Sequence, residues 1–327
     1  MTQSATTVRI TEVGSPEVMN LREEAVSAPE AGQVQVRQTA IGLNYIDVYH
    51  RTGLYPVPLP NGLGLEGAGV VEVVGEGVEH LKVGDRIAYG VGPLGAYTNR
   101  RNLPANRLSK LPDSVSDETA AGMMLKGLTV RYLLRQTYDV KAGDTILLQA
   151  AAGGVGLIAS QWAKALGATV IGTVGSDEKA EIAKAHGCDH TINYQHEDVA
   201  KRVRELTDGK GVPVVYDGVG QATMMGSLDS LQPRGLFVSY GNASGPIKDF
   251  DISILSAKGS LFLTRPTVMS YTASDAELSE SAADVFEVVG NGSVKIPVNQ
   301  RYDLADVQQA HFDLEARKTT GTTVLIP

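Results

Sequence analysis

The chain has 327 residues, of which 43% are hydrophobic and 20% are charged, a composition typical of a folded globular protein with about two domains. Its formal charge of −8, with no run rich in Lys and Arg, argues against a nucleic-acid groove and against binding to an anionic membrane surface. The single cysteine, Cys188, excludes an intramolecular disulfide and a multi-cysteine zinc site. Because no apolar run reaches the ~18 residues of a membrane span and the N-terminus lacks a signal-peptide core, we expect a soluble cytoplasmic protein.

The first third of the chain predicts a β-rich fold. Short apolar stretches at residues 34–40, 68–74 and 86–89 have the character of strands, and glycine turns separate them. Short strands with turn residues between them are typical of a partly closed barrel.

From residue 143 onward the pattern changes to alternating strands and helices. The predicted strands lie at residues 145–149, 169–174, 212–216 and 236–240, and the predicted helices at 155–166 and 179–186. This alternation predicts a parallel sheet covered by helices on both faces. The last ~60 residues break the order, with polar helices at 276–290 and 306–316 and a terminal strand at 322–326.

A glycine-rich segment lies between the first of these strands and its helix. It contains Gly153, Gly154, Val155 and Gly156. Glycines allow a tight turn and a close approach to a pyrophosphate, and the following helix N-terminus attracts negative charge. The segment therefore predicts a dinucleotide site, although such turns also serve packing alone.

The end of the second strand favours NADPH over NADH. NAD sites usually carry Asp or Glu there to bind the ribose 2′-hydroxyl, whereas this chain has Val174, Gly175 and Ser176. Asp177 follows and can cap the next helix. Ser176 and Lys179 suit a 2′-phosphate, although Lys179 also fits an ordinary solvated helix position.

Short motifs extend over nearly the whole chain. They are AIGLNYID at 40–47, GLYP at 53–56, GLEGAG at 64–69, VGDR at 83–86, LKGLT at 125–129, NY at 193–194, VYD at 215–217, GN at 241–242, LTRP at 263–266 and VLIP at 324–327. With the glycine loop, they make the chain resemble the zeta-crystallin-type quinone oxidoreductases of the medium-chain dehydrogenase/reductase superfamily.

The resemblance implies an α/β protein with two domains. A GroES-like β-rich catalytic domain would comprise residues 1–125 and 266–327, and a Rossmann doubly wound parallel-sheet domain residues 126–265. It also implies NADPH as cofactor and a homodimer formed through an edge strand at residues 258–264.

The resemblance implies catalytic positions near the nicotinamide and the substrate. These are Asn44, Asp47 and Tyr55. An alternative is that Asn44 and Asp47 cap a helix beginning at Tyr45, and that Tyr55 only covers the cleft.

The remaining cofactor contacts are also implied by the resemblance. The residues expected on the nicotinamide side are Lys126, Gly241, Asn242 and Leu263. Thr129 would contact a phosphate or ribose, and the adenosine phosphates would be contacted by Tyr194 and Arg317. Each also fits a structural role, and we expect Phe262 to pack rather than to contact the cofactor.

The positions of zinc ligands in related dehydrogenases are not matched here. Leu65 stands where those relatives have a His, and no Cys occurs between Asn44 and Asp47. We therefore expect no metal. A quinone accepts hydride with positioning alone, so the predicted function is that of an NADPH:quinone oxidoreductase. Reduction of activated alkenes (enones), or NADPH binding with little turnover, are the alternatives.

Overall fold

The computed structural model describes residues 3–327, and the chain divides into two compact units. The first unit extends to Leu128 and also includes Thr272–Gly290 and Ile296–Pro327. The second comprises Thr129–Tyr271 and Asn291–Lys295. The sequence predicted the first domain boundary between residues 125 and 126, and it predicted that the chain re-enters the first domain at residue 266.

The elements follow the chain in three blocks. The first block contains β1 (Gln3–Ile10), β2 (Asn20–Val26), β3 (Gln33–Leu43), α1 (Tyr45–Arg51), β4 (Asn61–Gly62), β5 (Gly67–Val74), β6 (Arg86–Tyr89), β7 (Arg100–Pro104), β8 (Ser109–Lys110) and α2 (Asp117–Tyr132). The second contains β9 (Thr145–Leu148), α3 (Gly154–Ala165), β10 (Thr169–Val174), α4 (Asp177–Ala185), β11 (His190–Asn193), α5 (Val199–Leu206), β12 (Val212–Asp217), α6 (Met224–Ser230), β13 (Leu231–Ser239), α7 (Ser253–Ala257), β14 (Phe262–Thr264) and α8 (Val268–Tyr271). The third contains α9 (Asp275–Gly290), β15 (Val298–Asp303), α10 (Val307–Glu315) and β16 (Thr322–Ile326).

The first unit is built on two sheets. β2, β1 and β4 form a small antiparallel sheet, and a larger sheet has the order β15-β16-β3-β5-β6-β8, with β7 paired to β3. β3 is long enough to pair with β5, β7 and β16. Its buried residues, among them Val34, Val36 and Ile41, join a core with Ile87 and Leu103. This confirms the predicted β-rich fold.

The second unit is a parallel sheet in the order β11-β10-β9-β12-β13-β14. In this Rossmann order, β10 and β11 are added on one side of β9 and β12 to β14 on the other, and a crevice forms between β9 and β12 at the carboxyl ends of the strands. Leu147, Ile171, Val215 and Phe237 supply the buried core on these strands. The predicted α/β fold class is therefore confirmed.

In the helix after the glycine loop, the sequence determines both the buried face and the C-terminal end. Leu157, Ile158 and Trp162 repeat at helical spacing on α3, and all three are buried. Gly167, with a φ of 86°, follows the end of the helix, where a left-handed glycine satisfies the last carbonyls. No helix within residues 3–327 is long and apolar enough to cross a bilayer.

Candidate active site and cofactor site

The glycine loop connects β9 to α3 at the crevice of the parallel sheet. Gly153 is the N-cap residue of α3, and the helix begins at Gly154. A Cβ on Gly156 would lie 2.5 Å from the Ala150 carbonyl oxygen and 2.6 Å from that of Ala151, so only glycine allows the strand and helix to pack this closely. The first N–H groups of α3 lack intrahelical partners and form an anion-binding end.

The end of β10 is followed by a glycine, Gly175, where NAD sites usually carry an acidic side chain. A Cβ on Gly175 would overlap the Tyr194 hydroxyl, because the tyrosine lies directly against the backbone there. Ser176 caps α4, since its side chain accepts a hydrogen bond from the Lys179 backbone N–H. The predicted alternative of an Asp177 cap is wrong, because Asp177 is the first helical residue and accepts a hydrogen bond from Asn193 instead, at 2.8 Å.

A buried carboxylate orders the loop on the other side of the crevice. Asp217 ends β12, is fully buried, and accepts hydrogen bonds from the backbone N–H groups of Val219 and Gly220 at 2.8 and 3.0 Å. The hydroxyls of Thr223 and Ser227 donate to its second oxygen at 2.7 and 2.8 Å. The carboxylate is therefore fully engaged and holds the turn after β12 rigid.

The predicted nicotinamide-side residues of this unit lie on neighbouring strands. Gly241 and Asn242 follow β13, and a Cβ on Gly241 would lie 2.8 Å from the carbonyl carbon of Gly218. Leu263 lies within β14 rather than after it. Phe262, which we expected to pack, is 62% exposed within this chain.

In the first unit, one carboxylate brings two of the predicted site residues together. Glu66 Oε2 accepts hydrogen bonds from Asn44 Nδ2 at 2.7 Å and from Lys126 Nζ at 3.3 Å. Its other oxygen accepts the Leu125 backbone N–H at 2.7 Å, and Lys126 Nζ also donates to the Leu43 carbonyl at 3.3 Å. Glu66 is fully buried and Lys126 is 7% exposed, so this is an interior ion pair rather than a solvated lysine.

Sequence reasoning did not select Glu66 as a site residue. Its partners lie 22 and 60 positions away along the chain, so no local residue spacing predicts these contacts. The one available signal was a glutamate at the start of a buried strand, next to Gly67. Gly42 supports the arrangement, because a Cβ there would overlap the Glu66 carboxylate and the Ala121 carbonyl.

Asp47 lies in the interior beneath this cluster. Its Oδ2 accepts the Asn44 backbone N–H at 2.9 Å and the Tyr97 hydroxyl at 2.8 Å, and Tyr97 in turn contacts His311 Nε2 at 3.0 Å. Burial raises the pKa of Asp47 to about 7 and lowers that of His311 to about 3. Asp47 thus caps the N-terminus of α1, as in the structural alternative, and its side chain is not accessible.

Tyr55 follows α1 and packs against aromatic side chains that lie on that helix. Its ring contacts Tyr49 edge-on, with centroids 5.1 Å apart, and Tyr49 contacts Tyr45 at 5.5 Å. The His50 ring is 6.2 Å from Tyr55. The half-buried Tyr55 is therefore held by packing at the edge of these side chains.

The two remaining predicted residues belong to different units. Thr129 is half-buried on α2 and begins the second unit. Arg317 is exposed, lies after α10 in the first unit, and has a φ of 59°.

The residues at these positions do not fit a metal ion. In the part of the chain that the structure describes, no three His, Cys, Asp or Glu side chains group together as metal ligands. The Glu66 carboxylate is already engaged by three donors, one of them an ammonium group.

Together, the Rossmann crevice and the β-rich unit define a dinucleotide-binding protein of the medium-chain dehydrogenase/reductase class.

Comparison with known proteins agrees with this class. The family model "Alcohol dehydrogenase GroES-like domain" matches residues 30–113, and "Zinc-binding dehydrogenase" matches residues 154–292. A quinone oxidoreductase from Pseudomonas aeruginosa is 56% identical over 315 residues, covering 96% of this chain and 97% of that protein. The chain belongs to the quinone oxidoreductase family of the medium-chain dehydrogenases/reductases.

Two further relatives bear on cofactor and substrate. The crystal structure of Escherichia coli quinone oxidoreductase complexed with NADPH has a TM-score of 0.97 and 49% sequence identity, covering 98% of this chain and all of that one. A 2-haloacrylate reductase from Burkholderia sp. is 46% identical over 324 residues, covering 96% of each chain.

Proposed function

We propose that the protein is an NADPH-dependent reductase that transfers a hydride from the nicotinamide to a quinone. The observation that carries the proposal is the end of β10, where Gly175 stands in place of an acidic residue and the Tyr194 hydroxyl lies against its backbone. The related E. coli enzyme, complexed with NADPH, supports the same cofactor. The second unit is the cofactor domain of this proposal, and the first unit is the catalytic domain.

The cofactor would be held mainly by the loops after the parallel strands. The N–H groups of Gly154, Val155 and Gly156 suit the pyrophosphate, with Gly153 providing the turn. The side chains that suit the 2′-phosphate are those of Ser176, Lys179, Tyr194 and Arg317. The proposed set is completed by Lys126, Thr129, Gly241, Asn242 and Leu263. The Ser176 hydroxyl uses its oxygen to cap α4, so its O–H can still donate to a phosphate.

The acceptor would be positioned by residues of the first unit. When bound, the nicotinamide supplies the hydride. The proposed polar contacts of the quinone are Asn44, Lys126 and the hydroxyl of Tyr55. Asn44 and Lys126 are joined through their hydrogen bonds to Glu66. Asp47 acts indirectly by fixing α1 and the Asn44 backbone. A quinone oxygen gains only modest basicity on reduction, so positioning and a few hydrogen-bond donors suffice and no zinc is required.

Steady-state NADPH oxidation with 1,4-benzoquinone tests the proposal. We expect turnover that persists after chelator treatment, and binding of NADPH at least about tenfold tighter than NADH, measured by fluorescence. Lys179→Ala should weaken NADPH and leave NADH nearly unchanged. Lys184→Ala is the matched control, because Lys184 lies on the same helix and pairs with Glu181 at 2.9 Å.

Three results would contradict parts of this assignment. NADPH binding without quinone turnover would indicate a binding protein. Equal affinities for NADPH and NADH would reject the 2′-phosphate contacts. Activity lost on chelation and restored by zinc would reject the metal-free mechanism.

A second candidate function is reduction of activated alkenes. The 2-haloacrylate reductase favours it, because its name describes reduction of an alkene bearing a carboxylate. Comparing kcat/KM for 1,4-benzoquinone and 2-cyclohexen-1-one separates the two, and we expect the quinone to be preferred.

The proposal includes a homodimer in the cytoplasm. β14 lies at the edge of the parallel sheet, and Phe262 and Leu263 on it are 62% and 40% exposed. An exposed apolar edge strand favours pairing with a second copy about a two-fold axis.

A further inference from the structure

Two N–H donors in the first unit converge on one carboxylate oxygen. Asn44 Nδ2 donates one of its two N–H groups to Glu66 Oε2, at 2.7 Å. Lys126 Nζ donates one of its three to the same oxygen at 3.3 Å and another to the Leu43 carbonyl at 3.3 Å. Each side chain therefore keeps one N–H for a further acceptor. Because both nitrogens contact one atom, they cannot be farther apart than the sum of the two distances to it.

The arrangement is rigid and shielded from water. Asn44 and Lys126 are each 7% exposed and Glu66 is fully buried. The Leu125 backbone N–H donates to the second carboxylate oxygen at 2.7 Å, and the missing side chain of Gly42 leaves the space that the Glu66 carboxylate occupies. Donors that are already oriented stabilise a developing negative charge without reorganisation, and low exposure strengthens the interaction.

We propose that Glu66 is a positioning residue that holds the remaining N–H groups of Asn44 and Lys126 as an oxyanion-binding pair, and that this pair serves acceptors whose reduction leaves a strongly basic oxygen. Such acceptors are α,β-unsaturated carbonyl compounds. The inference rests on the proposed NADPH-dependent hydride transfer and deepens it, since it assigns a substrate class to one group of residues.

The reaction can be written for an enone. The β-carbon takes up the hydride from NADPH and forms a new C–H bond. The alkene electron pair moves toward the carbonyl and leaves an enolate oxygen, which would accept hydrogen bonds from Asn44 and Lys126. A proton from water then adds to the α-carbon, giving the saturated ketone and NADP⁺.

A quinone places a weaker demand on the same pair. Its reduction gives an aromatic hydroquinone anion, whose oxygen is much less basic than an enolate oxygen. A donor that stabilises developing charge therefore contributes more to enone reduction than to quinone reduction. A residue that only maintains the fold would affect both acceptors equally.

The test compares kcat/KM for 2-cyclohexen-1-one and 1,4-benzoquinone in four proteins. They are the native protein, Lys126→Met, Glu66→Gln and, as a control, Lys110→Met. Lys126→Met should lower enone reduction about 100-fold and quinone reduction less than about tenfold. Glu66→Gln leaves Lys126 in place but replaces one accepting carboxylate oxygen by an NH₂ group, which cannot accept a hydrogen bond. The resulting loss of kcat/KM should therefore also be at least about fivefold larger for the enone than for the quinone.

The control removes a lysine that pairs with a carboxylate elsewhere in the same unit. Lys110 Nζ lies 2.7 Å from Asp85, and Lys110→Met should leave both activities unchanged. Circular dichroism and thermal unfolding establish that each variant is folded. If Lys126→Met does not fold, Glu66→Gln alone decides the question, and Lys126→Gln provides a further substitution.

The outcomes separate the inference from the proposed function. Equal losses for the two acceptors, or no loss, would overturn the oxyanion-binding pair while leaving quinone reduction intact. A native protein that reduces the quinone but no enone would overturn it as well. A native protein that reduces neither acceptor would reject the proposed function itself.

Discussion

Asp47 is held in the interior, where burial favours the protonated form of its carboxyl. Burial raises the pKa of its carboxyl from 3.8 to about 7, and the hydrogen bonds from the Asn44 backbone and the Tyr97 hydroxyl offset only part of that effect. In the unfolded chain the same carboxyl ionises near its ordinary value. Between the two pKa values the folded protein holds a proton that the unfolded chain has released, so the contribution of Asp47 to stability falls as pH rises through this range.

Asp47→Asn should reveal this dependence. The asparagine amide oxygen can accept the same two hydrogen bonds, and its NH₂ group takes the place of the protonated oxygen. The free energy of unfolding, measured by denaturant titration at pH 5 and pH 8, should therefore fall less with pH in Asp47→Asn than in the native protein. We expect the difference to exceed about 1.4 kcal/mol, the equivalent of one pKa unit. Because His311 titrates in both proteins, its opposite contribution cancels. Parallel pH profiles would mean that the folded protein ionises Asp47 normally.

The Tyr55 hydroxyl is expected to contribute little to quinone reduction. A single neutral donor acts on an acceptor that needs little charge stabilisation, so Tyr55→Phe should lower kcat/KM for 1,4-benzoquinone about tenfold or less. NADPH affinity should not change. Tyr302→Phe is the matched control, since Tyr302 donates to Asp313 at 2.9 Å in the same unit. A thousandfold loss in Tyr55→Phe would instead indicate acid catalysis by this hydroxyl.

At the scale of elements, the β9–loop–α3 connection determines whether the cofactor can bind. Gly156→Ala should destabilise the protein by about 1–3 kcal/mol and abolish NADPH binding, because the added methyl group meets the carbonyl oxygens of Ala150 and Ala151. Gly226→Ala is the matched control. A Cβ there meets nothing within 4 Å on α6, so it should be neutral or stabilising by about 0.5–1 kcal/mol. Calorimetry and fluorescence titration measure both effects, and full NADPH binding by Gly156→Ala would exclude the loop as the pyrophosphate site.

Periodicity predicts those elements whose residues are determined by local burial. The strands β6, β10 and β16 have the predicted bounds, and α3 lies within one residue of its predicted span. The strand predicted at 258–264 is shortened to β14, because Gly259 and Ser260 have φ values of 108° and 57° and cannot continue an extended strand. Local apolar character does not reveal such backbone angles.

The candidate site was predictable to the extent that motifs lie on single loops. The glycine loop and the end of β10 are of this kind. The ion pair of Glu66 and Lys126, by contrast, forms only when the start of β5 packs against α2. Similarly, the contact of Tyr97 with His311 joins residues 214 positions apart. Long-range pairings of this kind arise from packing, which one sequence without its fold does not specify.

At the scale of the whole molecule, the edge strand β14 is expected to join two copies of the chain. Within residues 3–327, no strand pairs with its outer edge, and Phe262 presents an apolar ring there. Light scattering should show a dimer at micromolar concentration, and Phe262→Glu should shift it toward monomer by placing like charges across the two-fold axis. Val83→Glu, at a residue 64% exposed in the first unit, is the control. A native protein that is monomeric at this concentration would contradict the proposal.

The pairing of β3 with β16 has a consequence for synthesis on the ribosome. Ile41 is opposite Leu325 in this antiparallel pair, so the larger sheet of the first unit needs a strand that is translated after the whole parallel sheet of the second unit. The six parallel strands are encoded without interruption between β9 and β14, and domains generally fold as units as their residues emerge. The second unit can therefore fold while the first still waits for its final strand. During that interval the edge of β3 that pairs with β16 is open to chaperones and proteases, and it is covered only once β16 has emerged.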